Sequence, residues 1–173
     1  MNAIPHFIEN SPCKGSDNVL SLTDVNSLEL IVLQINVEGL TKAKCEYLQK
    51  LAEEYGASIL SLQETHVVPN ANISKFIING FNLACQHQHN KYGLSIYIKS
   101  NILQFCAAPP IIIGDTVTIA VNINGFNIYN TYIPPNVKWE ENSLVEIAKP
   151  ALITGDFNSH NTTWGYDSSN EDG

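Results

Sequence analysis

An acidic and an amide side chain, Asp156 and Asn158, directly follow the short apolar segment 151–154 and Gly155. The segment is too short for a helix and predicts a buried strand, and glycine lets the chain turn after it. Both side chains would then lie on a loop that a sheet holds rigid. A carboxylate can bind a divalent cation or take a proton from water, and an amide can donate to a phosphate oxygen. The same spacing is common in turns, so an Asx-type turn is the simpler interpretation of this segment alone.

Three further polar side chains stand at the ends of predicted strands: Asn36, Glu64 and Tyr132. A single glutamate in such a position is usually a solvated loop residue, and His66 close behind it is more often a surface hydrogen-bonding group than a metal ligand. Each signal is weak alone. We predict chemistry here only because four strand ends carry groups with compatible roles.

The first part of the chain predicts a strand, a helix and a second strand. Apolar, β-branched segments at 28–36 and 57–64 flank a segment with helical periodicity at 41–55, where Thr41 is the expected N-cap and Gly56 the expected terminator. The apolar stripe of this helix is expected to comprise Tyr47, Leu48, Leu51, Ala52 and Tyr55. Residues 1–27 are polar, lack a sustained period and are predicted to be a flexible lead-in to a domain that spans 28–173.

The middle of the chain predicts short β-strands, with a hairpin turn at Asn124-Gly125. His87 and His89 would lie in a polar loop, where an exposed hairpin tip is a better interpretation than a metal clasp. A short helix is expected near residues 140–148. Strands are expected at 81–86, 93–99, 116–122 and 126–132. The pattern predicts an α/β fold, a layered sandwich of two mostly antiparallel sheets flanked by helices.

The amino-acid composition restricts the possible classes of function further. The chain has a net charge of −8, nine lysines and no arginine, so it lacks the basic surface that grips a DNA backbone, although acidic groups suit a metal site. No apolar run approaches the roughly 20 residues of a membrane span. We therefore expect an intracellular protein without a membrane partner. The four scattered cysteines are expected to be reduced and mostly buried.

Four motifs together resemble the endonuclease/exonuclease/phosphatase superfamily from about Leu28 to the last residue. They are Gln34-Ile35-Asn36, Ser61-Leu62-Gln63-Glu64-Thr65-His66, Tyr132-Ile133-Pro134-Pro135 and Gly155-Asp156-Phe157-Asn158. Within the superfamily, Asn158-Ser159-His160 followed by Trp164-Gly165 is similar to the endonuclease domain of jockey-like non-LTR retrotransposons. The resemblance implies a deoxyribonuclease I-like fold that nicks target DNA for reverse transcription.

The resemblance also implies a role for each site residue. Glu64 would hold a catalytic Mg²⁺, with Mn²⁺ as an alternative, and Asn36 would lie beside it. Tyr132 would position the scissile phosphate. Asp156 would orient or deprotonate the attacking water, and Asn158 would stabilise the phosphorane. His160 and Trp164 would face DNA, although a turn histidine and a core tryptophan are about equally good interpretations.

The chain departs from the family pattern in one respect. Members carry a further acidic residue and a Ser-Asp-His motif whose histidine is the acid/base or a phosphate ligand, and no such motif precedes Gly173. The resemblance therefore predicts a domain that is incomplete at its C-terminus, inactive as this chain, and part of a nuclear polyprotein with a downstream reverse transcriptase region. An RNA nuclease or phosphatase of the same superfamily and a non-catalytic remnant are the alternatives.

Overall fold

The computed structural model describes residues 29–135, 137–138 and 145–170. Within these ranges the chain forms two β-sheets, one α-helix (α1) and two short 3-10 helices (η1 and η2). In chain order the elements are β1 (Val32–Asn36), α1 (Lys42–Tyr55), β2 (Ile59–Gln63), η1 (Ile73–Phe76), β3 (Phe81–His87), β4 (Leu94–Lys99), β5 (Cys106–Ala107), β6 (Ile111–Ile113), β7 (Thr116–Ile123), β8 (Phe126–Tyr132), β9 (Ala151–Asp156) and η2 (Thr162–Trp164).

The first sheet has the strand order β1-β2-β4-β3. Strands β1 and β2 are parallel, because α1 carries the chain back across the sheet between them, and Asn36 pairs with Gln63 at their ends. The other two pairings are antiparallel. The parallel pair places the carboxyl ends of β1 and β2 at the same edge.

The second sheet has the order β5-β7-β8-β9, with β6 also paired to β7. Strands β7 and β8 form a hairpin in which Asn124 and Gly125 both have positive φ, as the predicted turn requires. Strand β9 runs parallel to β8, and Tyr132 pairs with Asp156. The carboxyl ends of β8 and β9 therefore also lie at one edge.

Strand β2 shows how the layers are stacked, because its side chains alternate between two cores. Leu60 and Leu62 pack with α1 residues such as Leu48 in a helix-side core. Ile59 packs on the opposite face with Ile119 and Ile128 of the second sheet. The order of layers is thus helix, first sheet, second sheet, which confirms the predicted α/β sandwich of two mostly antiparallel sheets.

The predicted helix is confirmed, but part of its predicted stripe is wrong. Thr41 caps the N-terminus by accepting from Lys44 N, and Gly56 ends the helix in a left-handed conformation. The buried residues are Cys45, Leu48 and Ala52, whereas Tyr47 and Tyr55 are exposed. The buried stripe is narrower than the sequence suggested, and it packs against both the first sheet and the segments beside it, including Phe76 of η1.

The predicted strands are confirmed within a few residues, but two short strands were missed, and the expected burial of β9 and the expected helix before it are not found. The short strands β5 and β6 were not predicted. Strand β9 was expected to be buried, yet Leu152 and Ile153 are exposed, because β9 has a strand partner on one side only among the described residues. Residues 145–148 are not helical, whereas residues 140–144 of the predicted helix and the predicted 1–27 lead-in lie outside the described residues.

Two other expectations were tested by the structure. Cys45 and Cys85 are free thiols, but Cys106 is disulfide-bonded, so the prediction of four reduced cysteines is wrong for Cys106. In the described part of the chain, no helix has the length and apolar character needed to cross a membrane.

Candidate active site

Four strand ends meet at one rim of the sandwich. Asn36 ends β1, Glu64 follows β2, Tyr132 ends β8 and Asp156 ends β9. Each sheet contributes a parallel pair whose carboxyl ends coincide, and the stacking of the sheets brings the two pairs together. The polar residues singled out in the sequence therefore share one region of the surface.

The first connection between the sheets is a hydrogen bond to Asp156. Asn36 Nδ2 donates to Asp156 Oδ2 over 2.7 Å, between residues 120 positions apart. The other carboxylate oxygen, Oδ1, accepts from the backbone N–H of Asn158 at 3.1 Å. Both oxygens of Asp156 are held by donors, so the orientation of the carboxylate is set before any substrate arrives.

The second connection joins Tyr132 to Glu64. The Tyr132 hydroxyl donates to Glu64 Oε1 at 3.0 Å. Burial of the phenol raises the pKa of Tyr132, and the hydrogen bond and negative charge of Glu64 raise it further. The charge of Asp156 also raises this pKa, whereas a hydrogen bond from Asn158 lowers it. Tyr132 is therefore a neutral donor at physiological pH. Its hydroxyl lies within the field of both carboxylates.

Asn158 supports this arrangement from the loop after β9. Its Nδ2 donates to the backbone oxygen of Ile133 at 2.7 Å, and its amide also hydrogen-bonds the Tyr132 hydroxyl. Asn158 thus connects the end of β8 to the loop that carries Asp156. In this arrangement its side chain stabilises the protein itself, so donation to a phosphate would require one of these bonds to exchange.

The backbone around the rim adopts conformations that are rare for residues with side chains. Glu38, Glu64, His66 and Asn158 have φ values of 43°, 50°, 54° and 49°. Left-handed conformations cost of order 1–3 kcal/mol each and persist where the surroundings impose them. Here the surroundings include the bond from Gly39 N to Glu64 O, at 2.7 Å.

Lys44 holds the turn after Asn36 in place. Its Nζ donates to the backbone oxygens of Val37 at 2.6 Å and Glu38 at 2.8 Å. Glu38 N in turn donates to Asn36 Oδ1 at 3.1 Å. The helix therefore fixes the residue that orients Asp156.

Gly155 allows β9 to approach β8 closely enough to place Asp156. A Cβ atom at this position would overlap the backbone oxygen of Thr131. The glycine thus has a packing role in addition to the turn that its sequence context suggested.

A network of amides lies beneath the rim, and its members Gln63 and Asn130 are buried while Gln34 is exposed. Gln34 Nε2 donates to Gln63 Oε1 at 2.6 Å, and Gln63 Nε2 donates to Asn130 Oδ1 at the same distance. The side-chain amide of Asn130 then donates to the backbone oxygens of Leu62 and Ser95. Because Gln63 precedes Glu64, the network ties the position of Glu64 to the second sheet.

A stack of rings extends from Tyr132 into the loop between β3 and β4. Tyr92 stacks on Tyr132 with centroids 5.1 Å apart, His89 on Tyr92 at 5.0 Å, and His87 on His89 at 6.3 Å. The two histidines are half-buried, so the expectation of an exposed hairpin tip is wrong. Burial and the neighbouring His89 lower the pKa of His87. The stack fixes the ring plane of Tyr132.

A cleft of about 560 Å³ adjoins Asp156, and both predicted substrate-facing residues line it. His160 stacks on Tyr166 with centroids 4.4 Å apart. Trp164 is 62% exposed, so it is not a core residue. The remaining lining includes Gln34 and Asn36.

The donor set suits a hard cation. Glu64 Oε1 is engaged by Tyr132, whereas Oε2 lies 3.9 Å from His66 Nε2. Asn36 supplies an amide oxygen, and the described residues form no cluster of three or more His, Cys, Asp and Glu that would hold a metal. Mg²⁺ commonly binds through one or two carboxylates and keeps several waters, so these residues fit it better than they fit zinc.

These observations define a class of protein. Residues 33–173 match the endonuclease/exonuclease/phosphatase family, and the chain belongs to it. Nucleases of this family generally use divalent metal ions.

Solved structures share the fold at low identity. An AP endonuclease from Archaeoglobus fulgidus is 19% identical to this chain, with a TM-score of 0.50. The match covers 66% of this chain and 45% of the chain of that endonuclease. The endonuclease domain of TRAS1, a telomere-specific non-LTR retrotransposon, is 18% identical to this chain, with a TM-score of 0.50. The match covers 81% of this chain and 64% of the chain of that domain. This chain thus spans less than two thirds of either structure. None of the curated protein sequences matches it.

Sequence reasoning did not find several of the residues that shape the site. Tyr92 gave a weak signal, an aromatic residue immediately before Gly93 and a strand. Asn130 lies within an alternating strand and offered only its polarity at an inward position. Lys44 and Tyr166 gave no signal, because their contacts depend on how separate elements pack.

Proposed function

We propose that this chain carries the metal-binding and water-activating part of a phosphodiesterase site, and that the protein is a DNA endonuclease. The observation that supports this most is the pair of bonds across the sheets, Asn36 to Asp156 and Tyr132 to Glu64. They hold two carboxylates at one rim, each with a different partner. Phosphodiester hydrolysis needs an oriented water on one side of the phosphorus and charge neutralisation on the other.

The contacts of each residue support a proposed role for it. Asp156 is fixed at both oxygens and orients the attacking water. It accepts the water's proton as the new oxygen–phosphorus bond forms and the bond from phosphorus to the leaving oxygen breaks, and the leaving oxygen takes a proton from solvent. Tyr132 remains protonated and offers its hydroxyl to a phosphate oxygen or to Glu64. Asn36 keeps Asp156 in place, and Asn158 keeps Tyr132 in place.

Glu64, with Asn36 beside it, would hold Mg²⁺, and Mn²⁺ could replace it. The ion would supply positive charge to the phosphate as charge develops there. Glu64 Oε2 is the carboxylate oxygen available for this, since Oε1 accepts from Tyr132.

We also propose the biological setting that the sequence motifs suggest. The protein would nick target DNA for reverse transcription in a non-LTR element, in the nucleus, together with a reverse transcriptase region of the same polyprotein. The shared fold with the TRAS1 domain is compatible with this setting but supports the fold alone.

A nicking assay on supercoiled plasmid tests the proposal, using the complete gene product that contains these residues. Asp156→Ala should lower the nicking rate by about 10²–10⁴-fold in Mg²⁺, the range for loss of a positioned acid/base group, and Glu64→Ala should also lower it, because it removes the carboxylate that would hold the cation. Glu46→Ala is the matched control, since this helix residue is exposed and outside the rim. Undiminished nicking by both site variants would refute the assigned roles.

The charge of the chain supports a second candidate, a phosphatase of the same family that acts on a small phosphoester, and an RNA nuclease is a further alternative that the charge does not favour. A net charge of −8 without arginine provides few contacts for a long polyanion. Turnover of a small phosphomonoester without nicking of DNA would select the phosphatase, and turnover of RNA would select the RNA nuclease. The same Asp156 and Glu64 variants should then abolish that turnover.

A further inference from the structure

We propose that Tyr92 and His89, in the loop between β3 and β4, are positioning residues for the hydroxyl of Tyr132. This inference rests on the proposed function, because it takes Tyr132 as the donor to the reacting phosphate. His89 fixes the turn at residues 89–92 through one ring nitrogen, and the turn holds the Tyr92 ring against Tyr132. Both residues act through Tyr132 rather than by touching the substrate.

The Tyr132 ring needs support that does not depend on its hydroxyl. The last torsion of a tyrosine side chain has a broad minimum, so packing sets the direction of the ring. The hydroxyl donates to Glu64 Oε1 at 3.0 Å, but it must leave or share this bond when it donates to a phosphate oxygen. The contact with Tyr92, at a centroid distance of 5.1 Å and an interplanar angle of 21°, does not involve the hydroxyl proton. Stacking on Tyr92 therefore holds the hydroxyl in place while its hydrogen bond is exchanged.

His89 holds both the backbone and the ring of Tyr92. Its Nδ1 accepts from the backbone N–H of Tyr92 at 2.9 Å and from that of Lys91 at 3.1 Å. A ring nitrogen that accepts from two N–H groups carries no proton, so the neutral His89 has its proton on Nε2. The His89 ring also stacks on Tyr92, with centroids 5.0 Å apart and an interplanar angle of 9°. One side chain thus fixes where the turn lies and how the Tyr92 ring faces.

Gly93 attaches the turn to the segment that carries Glu64. The backbone oxygen of Gly93 accepts from Thr65 N at 2.8 Å, and Thr65 directly follows Glu64. A Cβ atom at Gly93 would overlap Thr65 Oγ1, so a larger residue would push the turn away from this segment. Glu64 and Tyr92 are therefore placed relative to each other by a short connection. Glu64 contacts the hydroxyl of Tyr132 and Tyr92 contacts its ring, so together they set both ends of the side chain.

A double-mutant cycle in the plasmid-nicking assay, with the complete gene product, tests whether Tyr92 acts through Tyr132. Tyr92→Leu should lower kcat by about 10- to 100-fold with KM within about twofold, because a misplacement of about 1 Å can cost 10²-fold in rate. Tyr92→Phe keeps a stacking ring and should restore most of the lost rate. In a Tyr132→Phe background, Tyr92→Leu should have almost no further effect, because the hydroxyl that it positions is already gone.

Variants of His89 repeat the comparison at an independent position, in case Tyr92→Leu fails to fold by circular dichroism. His89→Leu removes the acceptor of the turn and should lower kcat by about 10-fold or more. His89→Asn should recover most of that loss, because an asparagine oxygen can accept from the same backbone N–H groups. Tyr55→Leu removes an exposed tyrosine on α1 and should nick as the unaltered protein does. Long-range proton–nitrogen NMR of the 173-residue chain, under mildly alkaline conditions, should show the His89 proton on Nε2.

The inference is overturned if Tyr92→Leu lowers kcat by the same factor with and without the Tyr132 hydroxyl, or if it does not lower kcat at all. It is also overturned if His89→Asn loses as much activity as His89→Leu, or if NMR places the His89 proton on Nδ1. The proposed function fails separately, through undiminished nicking by both Asp156→Ala and Glu64→Ala, and the position of the His89 proton is measured without any cleavage.

Discussion

Replacing Glu64 by glutamine tests the cation site with the smallest possible change. Glutamine has the size of glutamate and keeps an oxygen that can accept from the Tyr132 hydroxyl, now 3.0 Å from Oε1. Only the negative charge is lost. The fold should persist, and any change in metal affinity reports the charge of Glu64.

The magnitude follows from Coulomb's law with solvent screening. The Glu64 side chain is only 23% exposed, so the dielectric constant of water, in which two unit charges at 4 Å interact by about 1 kcal/mol, gives the smallest loss to expect. A divalent ion doubles this to about 2 kcal/mol. Because 1.4 kcal/mol corresponds to a tenfold change in affinity, Glu64→Gln should weaken Mn²⁺ binding by about 30-fold or more.

Water-proton relaxation measures Mn²⁺ binding to the 173-residue chain directly. Glu46→Gln is the matched control, because it removes the same charge from an exposed position on α1, with 63% of the side chain exposed. Its dissociation constant should stay within about twofold of the unaltered chain, as expected for a screened surface charge. Equal affinities for the Glu64→Gln and Glu46→Gln variants would refute the assignment of Glu64 as the cation ligand.

Three further variants address how the site is held together. Gly155→Ala should lower the free energy of unfolding in urea by about 2–3 kcal/mol, because its Cβ overlaps Thr131 O and the strands must separate. Asn130→Ala should lower it by about 3 kcal/mol, since Gln63 and two backbone oxygens lose buried partners. Burial raises the pKa of Cys85 from 9.0 to about 12, so its neutral thiol stabilises the fold fully below pH 9 and progressively less from pH 9 toward 12. Cys85→Ala should make the alkaline decline of the unfolding free energy shallower.

Control variants test the Gly155→Ala and Asn130→Ala predictions, and one result would contradict the Cys85→Ala prediction. Gly114→Ala, at another positive-φ glycine with open space around it, should cost only the conformational strain of about 1–2 kcal/mol. Asn122→Ala removes a half-buried hairpin amide and should cost less than Asn130→Ala. An unchanged alkaline slope for Cys85→Ala would show that the thiol does not ionise differently on unfolding.

The local elements of the fold could be predicted because their signals lie within short segments. The Asn124-Gly125 turn needs positive φ at two adjacent positions, which those residues adopt readily. Thr41 and Gly56 bound the helix through contacts with residues three or four positions away. Tyr47 was misassigned because helical spacing alone does not say how wide the covered face is.

The candidate site was predictable as a set of residues but not as a set of contacts. Polar side chains at the ends of apolar segments identified Asn36, Glu64, Tyr132 and Asp156 as candidates. The partners of these side chains could not be read from spacing, since the Tyr132–Glu64 bond joins residues 68 positions apart. Similarly, His87 and His89 looked like an exposed loop until packing placed Tyr92 between them and Tyr132.

The amino-acid sequence by itself determined the succession β1, α1 and β2, the Asn124-Gly125 turn, and the polar residues at four strand ends, because these depend on local propensity and periodicity. Only the tertiary structure decided that β1 with β2 and β8 with β9 run parallel, so that four carboxyl ends share one rim. It also decided which carboxylate bonds to which donor. The physical reason is that stacking of two sheets sets distances between residues far apart in the chain, and no short segment encodes those distances.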